Sequence, residues 1–319
     1  MLTDAKVLIT GGAGFIGSTL ASQLVATNKV TLFDNFMRDA LSGTALADHP
    51  SVTIERGDIL DMSALRSVAA GHTHVVHCAA IAGIDTVATS PVTTMRVNMI
   101  GSANVLAAAH EAGTCKRIVC FSTSEVFGRY AFKVSETDNT SIGAVGEPRW
   151  TYAVSKLAEE HLAMAYHTEF GLPVAVVRPF NVYGPGQVGE GAIRNFMQRA
   201  LRNEPISIYG DGSQIRSWCY VDDMVRAVLL ALEHPNAVGN SFNIGNARAV
   251  ATTAGLAETI VRLTGSSSTI SYVERSGPDV ELRVPDTAHA SAALGFAAAV
   301  GLEEGILRTA EWLRGQTNG

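Results

Sequence analysis

Apolar residues gather in short runs along the first half of the chain, and longer stretches of helical character separate the runs. Val7–Thr10, Val30–Asp34, Val52–Asp58, His74–Ala80 and Arg117–Thr123 are rich in β-branched and apolar residues, which predicts strands. Between them, Phe15–Thr27, Met62–Gly71 and Thr93–Ala112 place apolar side chains at helical spacing among alanine and leucine. Continuously apolar strands alternating with helices predict a parallel sheet covered on both faces, an α/β architecture. Val174–Phe180 supplies a later strand of the same kind.

Beyond Asn181 the pattern changes. A glycine-rich stretch, NVYGPGQVGEG, reads as loop, followed by a helix over Ile193–Leu201, a short strand at ISIYG and a turn at DGSQ. Phe242–Gly245 and Thr269–Glu274 predict further short strands with helices between them and at the C-terminus. We therefore expect a dinucleotide-binding domain over 1–181. A smaller α/β subdomain, mainly substrate-binding, is expected over 182–319, interleaved with returns to the main sheet.

Composition narrows the function. Hydrophobic residues make up 47% and charged residues 17%, with a mean hydropathy of +0.17, which supports a sizeable core and excludes a disordered or fibrous chain. The net charge of −6, with no basic arm, argues against nucleic acid as a main partner. No apolar run approaches the roughly 20 residues of a membrane span and the N-terminus lacks a signal-peptide layout, so a cytoplasmic protein with no membrane partner is expected. Cys78, Cys115, Cys120 and Cys219 show no metal-type pairing, and neither do the histidines; no metal is expected. Met95 and Met99 read as packing residues of a helix.

Two motifs carry chemistry. Gly11-Gly-Ala-Gly14-Phe15-Ile16-Gly17 follows a strand and opens a helix, the arrangement that lets a backbone turn approach a pyrophosphate at a helix N-terminus. Asp34 ends the next strand, where a carboxylate can bind both adenosine ribose hydroxyls and would repel a 2′-phosphate; NAD is favoured over NADP, with Arg38 close enough to keep the second open. Asp58, ending the third strand, either meets the adenine or caps the following helix, and Ala79 and Ala80 leave room for a dinucleotide at the fourth. Tyr152-Ala-Val-Ser-Lys156 sets a phenol and an ammonium four apart on one helical face, so the cation is expected to lower the tyrosine pKa and make it a general acid or base. The strand ending at Thr123 delivers Thr123, Ser124 and Glu125 to the carboxyl end of the sheet, where ligands of open α/β folds bind, unless the serines only cap a turn and Glu125 is solvated.

GGAGFIG, the HCAA strand end, STSEVFG, YAVSK, RPFNVYGPG and GDGSQIRSWCYVDD, in that order and across essentially the whole chain, resemble the extended short-chain dehydrogenase/reductase family of nucleotide-sugar epimerases, dehydratases and decarboxylases. The resemblance implies a Rossmann-type doubly wound sheet with NAD held by Gly11, Gly14, Phe15, Ile16, Gly17, Asp34, Asn35, Asp58, Ile59, Ala79, Ala80, Asn98, Tyr152 and Lys156. It implies Tyr152 and Lys156 as the catalytic pair and Thr123 as their hydroxyl partner, with Asn181 and Arg216 near the substrate's diphosphate. Arg194 and Arg275 are further diphosphate candidates that can equally be solvated. A homodimer built from the helices at Thr93–Ala112 and Tyr152–Phe170 is expected on the same ground.

Within that family the branch is read from a few positions. Ser124-Glu125 after the hydroxyl resembles the dehydratases and the UDP-glucuronate decarboxylases more than simple 4-epimerases. Gly-Glu-Pro148-Arg149-Trp150-Thr-Tyr152 and Asp279-Val-Glu-Leu-Arg283-Val-Pro285 resemble the decarboxylase branch, including the decarboxylase domain of the bacterial aminoarabinose (lipid A modification) enzyme. That resemblance implies that Arg283 meets a substrate carboxylate and Glu125 assists at the ring; otherwise Arg283 is a surface arginine before a turn. UDP-glucuronate decarboxylation through a 4-keto intermediate is the expected activity, with 4-epimerisation of UDP-glucose or UDP-glucuronate next and 4,6-dehydration third. Phe127 departs from the family's tyrosine, and Ser207 from a lysine near the nucleotide.

Overall fold

The structure, a computed structural model, describes residues 2–274, 277 and 279–317. Its centre is a seven-stranded sheet built from β1 (Lys6–Thr10), β2 (Lys29–Asp34), β3 (Val52–Arg56), β4 (His74–His77), β5 (Arg117–Phe121) and the strands Val174–Pro179 and Asn240–Ile244. Every pairing is parallel, and the order is Asn240–Ile244, Val174–Pro179, β5, β4, β1, β2, β3. The chain leaves β1 toward one edge and returns at β4 on β1's other side, so the sheet has a switch point between β1 and β4, where a crevice opens beyond the strand ends. This is the parallel α/β sheet that the sequence pattern predicts, in the Rossmann-type arrangement that the family resemblance implies.

Side chains of one strand alternate between the two faces, which explains why these strands read as apolar throughout. Val7, Ile9, Val76, Val119, Ala175 and Val177 join Leu20, Leu24, Val225 and Val228 of the helices Phe15–Leu24 and Val221–Glu233 in one core. Leu8, Val75, Ile118, Cys120, Val174 and Val176 pack on the opposite face against Leu65, Val105, Leu106 and Ala163 of three other helices.

A second sheet of four short strands lies in the order Val250–Thr252, Ile215–Ser217, Leu282–Pro285, Tyr130–Val134. Sequence pattern does not find these strands, because each is only three to five residues long and its partners come from distant parts of the chain. Leu282–Pro285 places Arg283 in a strand at 2% exposure, which removes the surface-turn reading of that arginine. The helical stretch expected at Thr93–Ala112 is broken by a π-helical turn over Arg96–Gly101 between Pro91–Met95 and Ser102–Glu111. Met99 on that turn is exposed rather than packed. No helix among the described residues is long and apolar enough to cross a membrane, and no cluster of potential metal ligands occurs among them.

Candidate active site

The cleft at the switch point is lined by Gly11, Gly14, Phe15, Ile16, Gly17, Asp34, Asn35, Asp58, Ile59, Ala79 and Ala80. Gly11 takes φ +70°, and a Cβ there would stand 2.6 Å from the Ala79 amide nitrogen, so only glycine lets the first turn close against the loop after β4. The helix Phe15–Leu24 begins at Gly14 with no side-chain cap, leaving its first amides free for a ligand oxygen. Asp34 accepts the Ala13 amide at 3.0 Å and the Phe36 amide at 2.7 Å. Burial nevertheless raises its carboxyl above the ordinary value. Asp58 lines the cleft and accepts the Leu60 amide at 2.9 Å in a turn before the next helix; the capping alternative fails, because the helix Met62–Ala69 is capped by Asp61, which accepts the Ser63 and Ala64 amides. Arg38 is committed to the Ala82 carbonyl at 2.7 Å and the Thr86 hydroxyl at 3.1 Å, which takes it out of service for a 2′-phosphate. A glycine turn, an uncapped helix start and a carboxylate at the second strand end fit a dinucleotide without a 2′-phosphate.

Asn98 is fully buried and does not line the cleft. Its amide bonds both backbone groups of Ile81, at 2.8 and 3.0 Å, and Ser155 at 3.0 Å, so it ties the loop after β4 to the helix Thr151–Phe170. That helix carries Tyr152 and Lys156. Tyr152 hydrogen-bonds Thr123, yet burial, followed by the charges of Glu125 and Glu159, pushes its phenol above the usual value. The lowering expected from Lys156 is not among the leading influences on the phenol; Lys156, itself 1% exposed, is in direct contact with the buried Glu159 one turn on, whose charge acts in the opposite sense. Glu159 lies 3.9 Å from His77, whose ring bonds Thr10 and Ser102; burial drives His77 down to about 3 and keeps it neutral. Glu159 and the His77 network went unnoticed in the sequence, although the Lys-to-Glu spacing of three was visible there.

Beyond Thr123, which accepts the Glu125 amide, a second group of charges converges. Arg149 forks onto Glu125 at 2.6 and 3.2 Å and reaches Asp279 at 3.5 Å. Arg216 meets Asp279 at 3.3 Å, and Arg283 stands 3.7 Å from Glu125 while donating to the Gly128 carbonyl at 2.8 Å. Among the described residues, three guanidiniums and two carboxylates therefore meet here. Burial pushes the Arg283 guanidinium down to about 10, partly opposed by Glu125 and reinforced by Arg216 and Arg149, and its buried Nε has no hydrogen-bond partner among the described residues. Arg149 would also be depressed by burial, but Glu125 and Asp279 outweigh that and raise it. The role of Arg149 was not legible in the sequence; only its place beside Tyr152 was.

The other candidates make different contacts. Asn181, at φ +40°, donates to the Ser217 carbonyl at 2.8 Å and accepts the Cys219 amide, joining the second half's loop to its short strands. Arg194 reaches the Gly189 carbonyl at 3.2 Å. Arg275 lies outside the described residues. Phe127 is buried against Phe180, with the Arg178 guanidinium over its ring, a packing role. Ser207 faces Ser271 at 3.5 Å.

Residues 7–245 match the NAD dependent epimerase/dehydratase family. The chain belongs to that family. It is 35% identical to a UDP-N-acetyl-alpha-D-glucosaminuronate decarboxylase of Bacillus cytotoxicus over 325 residues, covering 97% of this chain and 98% of the relative. A dTDP-glucose 4,6-dehydratase of Streptomyces niveus is 34% identical, with 97% of this chain and 93% of the other covered. The UDP-glucuronic acid 4-epimerase of Bacillus cereus, solved with UDP-glucuronic acid and NAD, superposes with a TM-score of 0.87 at 28% identity, covering 98% and 99% of the two chains. The family member described here is thus an NAD-dependent enzyme, and relatives of similar identity catalyse decarboxylation and dehydration.

Proposed function

We propose that this family member decarboxylates a UDP-linked hexuronic acid, with UDP-glucuronate as the first substrate, through a 4-keto intermediate. The observation that carries the reading is the buried guanidinium of Arg283 beside Glu125. Arg283 is 2% exposed and stands 3.7 Å from Glu125, which already accepts the fork from Arg149, and among the described residues its Nε is an unused donor. A substrate carboxylate supplies the acceptor that this guanidinium lacks. The Bacillus cytotoxicus relative is named for a hexuronic acid derivative too, UDP-N-acetyl-alpha-D-glucosaminuronate, which makes that compound the second substrate to test.

NAD bound in the cleft supplies the hydride acceptor for the sugar 4-position. Tyr152, hydrogen-bonded to Thr123, takes the proton of the 4-hydroxyl, with Lys156 one turn further along the same helix. The ketone at C4 makes the carboxylate a β-keto acid. The bond between ring and carboxylate breaks, carbon dioxide leaves, and the electron pair flows into the C4 carbonyl. Arg283 and Arg149 hold the carboxylate and Glu125 at that end of the ring, and a proton then returns to the ring carbon; return of the hydride to C4 would leave no net redox change. Residues from 182 onward are assigned to the nucleotide, Asn181 and Arg216 to the diphosphate, and Arg194 and Arg275 to its flank. A homodimer in the cytoplasm is part of the same reading. Val92, Met99 and Ile100 of the first helical stretch and Val154 and Phe170 of the second are exposed apolar side chains that a partner would cover.

Incubation with NAD and either uronic acid, followed by mass and proton NMR analysis, tests this. Loss of carbon dioxide supports the proposal. Isomerisation at unchanged mass makes the enzyme a 4-epimerase instead, and no turnover of either acid removes the uronate reading.

A further inference from the structure

Three loops meet over the outer side of the dinucleotide cleft, and their junction has a built geometry. Arg38 comes from the loop after β2, Ala82 and Thr86 from the segment after β4, and Glu190 from the glycine-rich stretch after Asn181. All of them line the cleft that holds Gly11 and Asp34. Arg38 donates to the Ala82 carbonyl at 2.7 Å and to the Thr86 hydroxyl at 3.1 Å. The same hydroxyl donates to Glu190 at 2.8 Å, and Glu190 also accepts the Thr86 amide at 3.1 Å and the Asp85 amide at 3.0 Å. Arg38 and Glu190 are themselves 3.9 Å apart. Ala40 completes the tether by donating to the Ala13 carbonyl of the glycine turn at 2.8 Å.

The surrounding backbone leaves space for these side chains. Gly83, at φ +104°, lies so close to Glu190 that a Cβ would stand 2.7 Å from the carboxylate. Gly189, at φ +80°, lies against the Arg38 guanidinium, where a Cβ would fall 3.1 Å from Cζ. Burial would raise the Glu190 carboxyl, but its amide and hydroxyl donors outweigh that and hold it low, so the junction carries an anion at neutral pH.

We infer that Arg38, Thr86 and Glu190 form a clasp that retains NAD by joining the three loops across the mouth of its cleft. The clasp is built from hydrogen bonds among the three loops themselves; Arg38 is also near enough to Tyr152 for its charge to act on the phenol, as the least of the leading influences on it. It makes a different demand on the cleft than Asp34 does: Asp34 selects the dinucleotide, and the clasp slows its escape. An enzyme whose cofactor is oxidised and reduced within one turnover gains from slow escape, since loss of the reduced form in mid-cycle leaves the enzyme without its hydride.

Thr86→Val removes the shared hydroxyl at nearly constant shape, and Glu190→Gln removes the charge and one acceptor. The full chain is purified, loaded with radiolabelled NAD and chased with an excess of unlabelled NAD, and bound nucleotide is also quantified after gel filtration. Loss of charge-assisted contacts to a shared junction is expected to speed NAD release by about one to two orders of magnitude in each variant. Added NAD is then expected to become necessary for turnover. Release rates within about twofold of the unaltered chain in both variants would overturn the inference. So would a loss of turnover that added NAD fails to restore, because that would place these residues in the chemistry.

Discussion

Arg283→Met separates the stability of the candidate site from its function. In the folded protein the Arg283 guanidinium is pushed from 12.5 down to about 10, chiefly by burial, so holding it charged costs about 3 kcal/mol relative to the unfolded chain. Between pH 10 and 12.5 the folded chain binds fewer protons than the unfolded one, so that cost is present below pH 10 and is relieved as pH rises through the window. Methionine fills similar volume without a charge, and Glu125 keeps its fork from Arg149, so no carboxylate is orphaned. The hydrogen bond to Gly128 is lost, which offsets about 1–2 kcal/mol. The melting temperature is therefore expected to hold or to rise by a few degrees. Function is expected to go the other way. Two charge-assisted bonds to a carboxylate are worth about 3–6 kcal/mol, so kcat/KM for UDP-glucuronate should fall about 10²–10⁴-fold. Calorimetric melting and NMR-followed turnover are measured on the same preparation. A melting temperature lowered by more than about 5 °C refutes the strain argument, and unchanged turnover of a uronic acid refutes the carboxylate argument.

Tyr152→Phe is expected to reduce turnover at least about 100-fold while NAD stays bound, measured by single-turnover kinetics beside nucleotide content; a smaller loss removes Tyr152 as the proton acceptor. Asp34→Ser removes the charge that repels a 2′-phosphate, so the ratio of NAD to NADP affinity is expected to fall at least about tenfold by titration, and an unchanged ratio would place cofactor choice elsewhere. His77 stays neutral down to about pH 3 in the fold but takes a proton near pH 6.5 when unfolded, so stability is expected to fall by about 1.4 kcal/mol per pH unit as pH drops below 6.5. Denaturant melts of the protein and of His77→Asn at pH 7 and pH 5 check this, with a flatter response expected in the variant.

Much of this protein is written in short stretches of its sequence. The parallel sheet was legible because its strands are buried on both faces and so are apolar throughout, and the helices between them carry a period that needs no knowledge of the rest of the chain. The glycine turn was legible for a related reason: Gly11, Gly14 and Gly17 are close in sequence and act on one loop, and Asp34 follows at the end of the next strand. The same holds for Tyr152 and Lys156, one helical turn apart. Only tertiary structure could decide the rest. Arg149, Arg216 and Arg283 are separated by dozens of residues, and a sheet of very short strands brings Arg216 and Arg283 side by side in register, facing Glu125 and Asp279. The pairing of Lys156 with Glu159, and of Glu159 with His77 on a neighbouring strand, depends on complete burial that no local pattern reports. From the sequence Arg38 left NADP open beside the favoured NAD; the fold placed Thr86 and Glu190 beside it. Local spacing specifies elements and the turn that a cofactor needs, because those are held by neighbours in the chain. Charge balance, pKa and loop closure belong to groups that meet only after folding, because each depends on what replaces water around them.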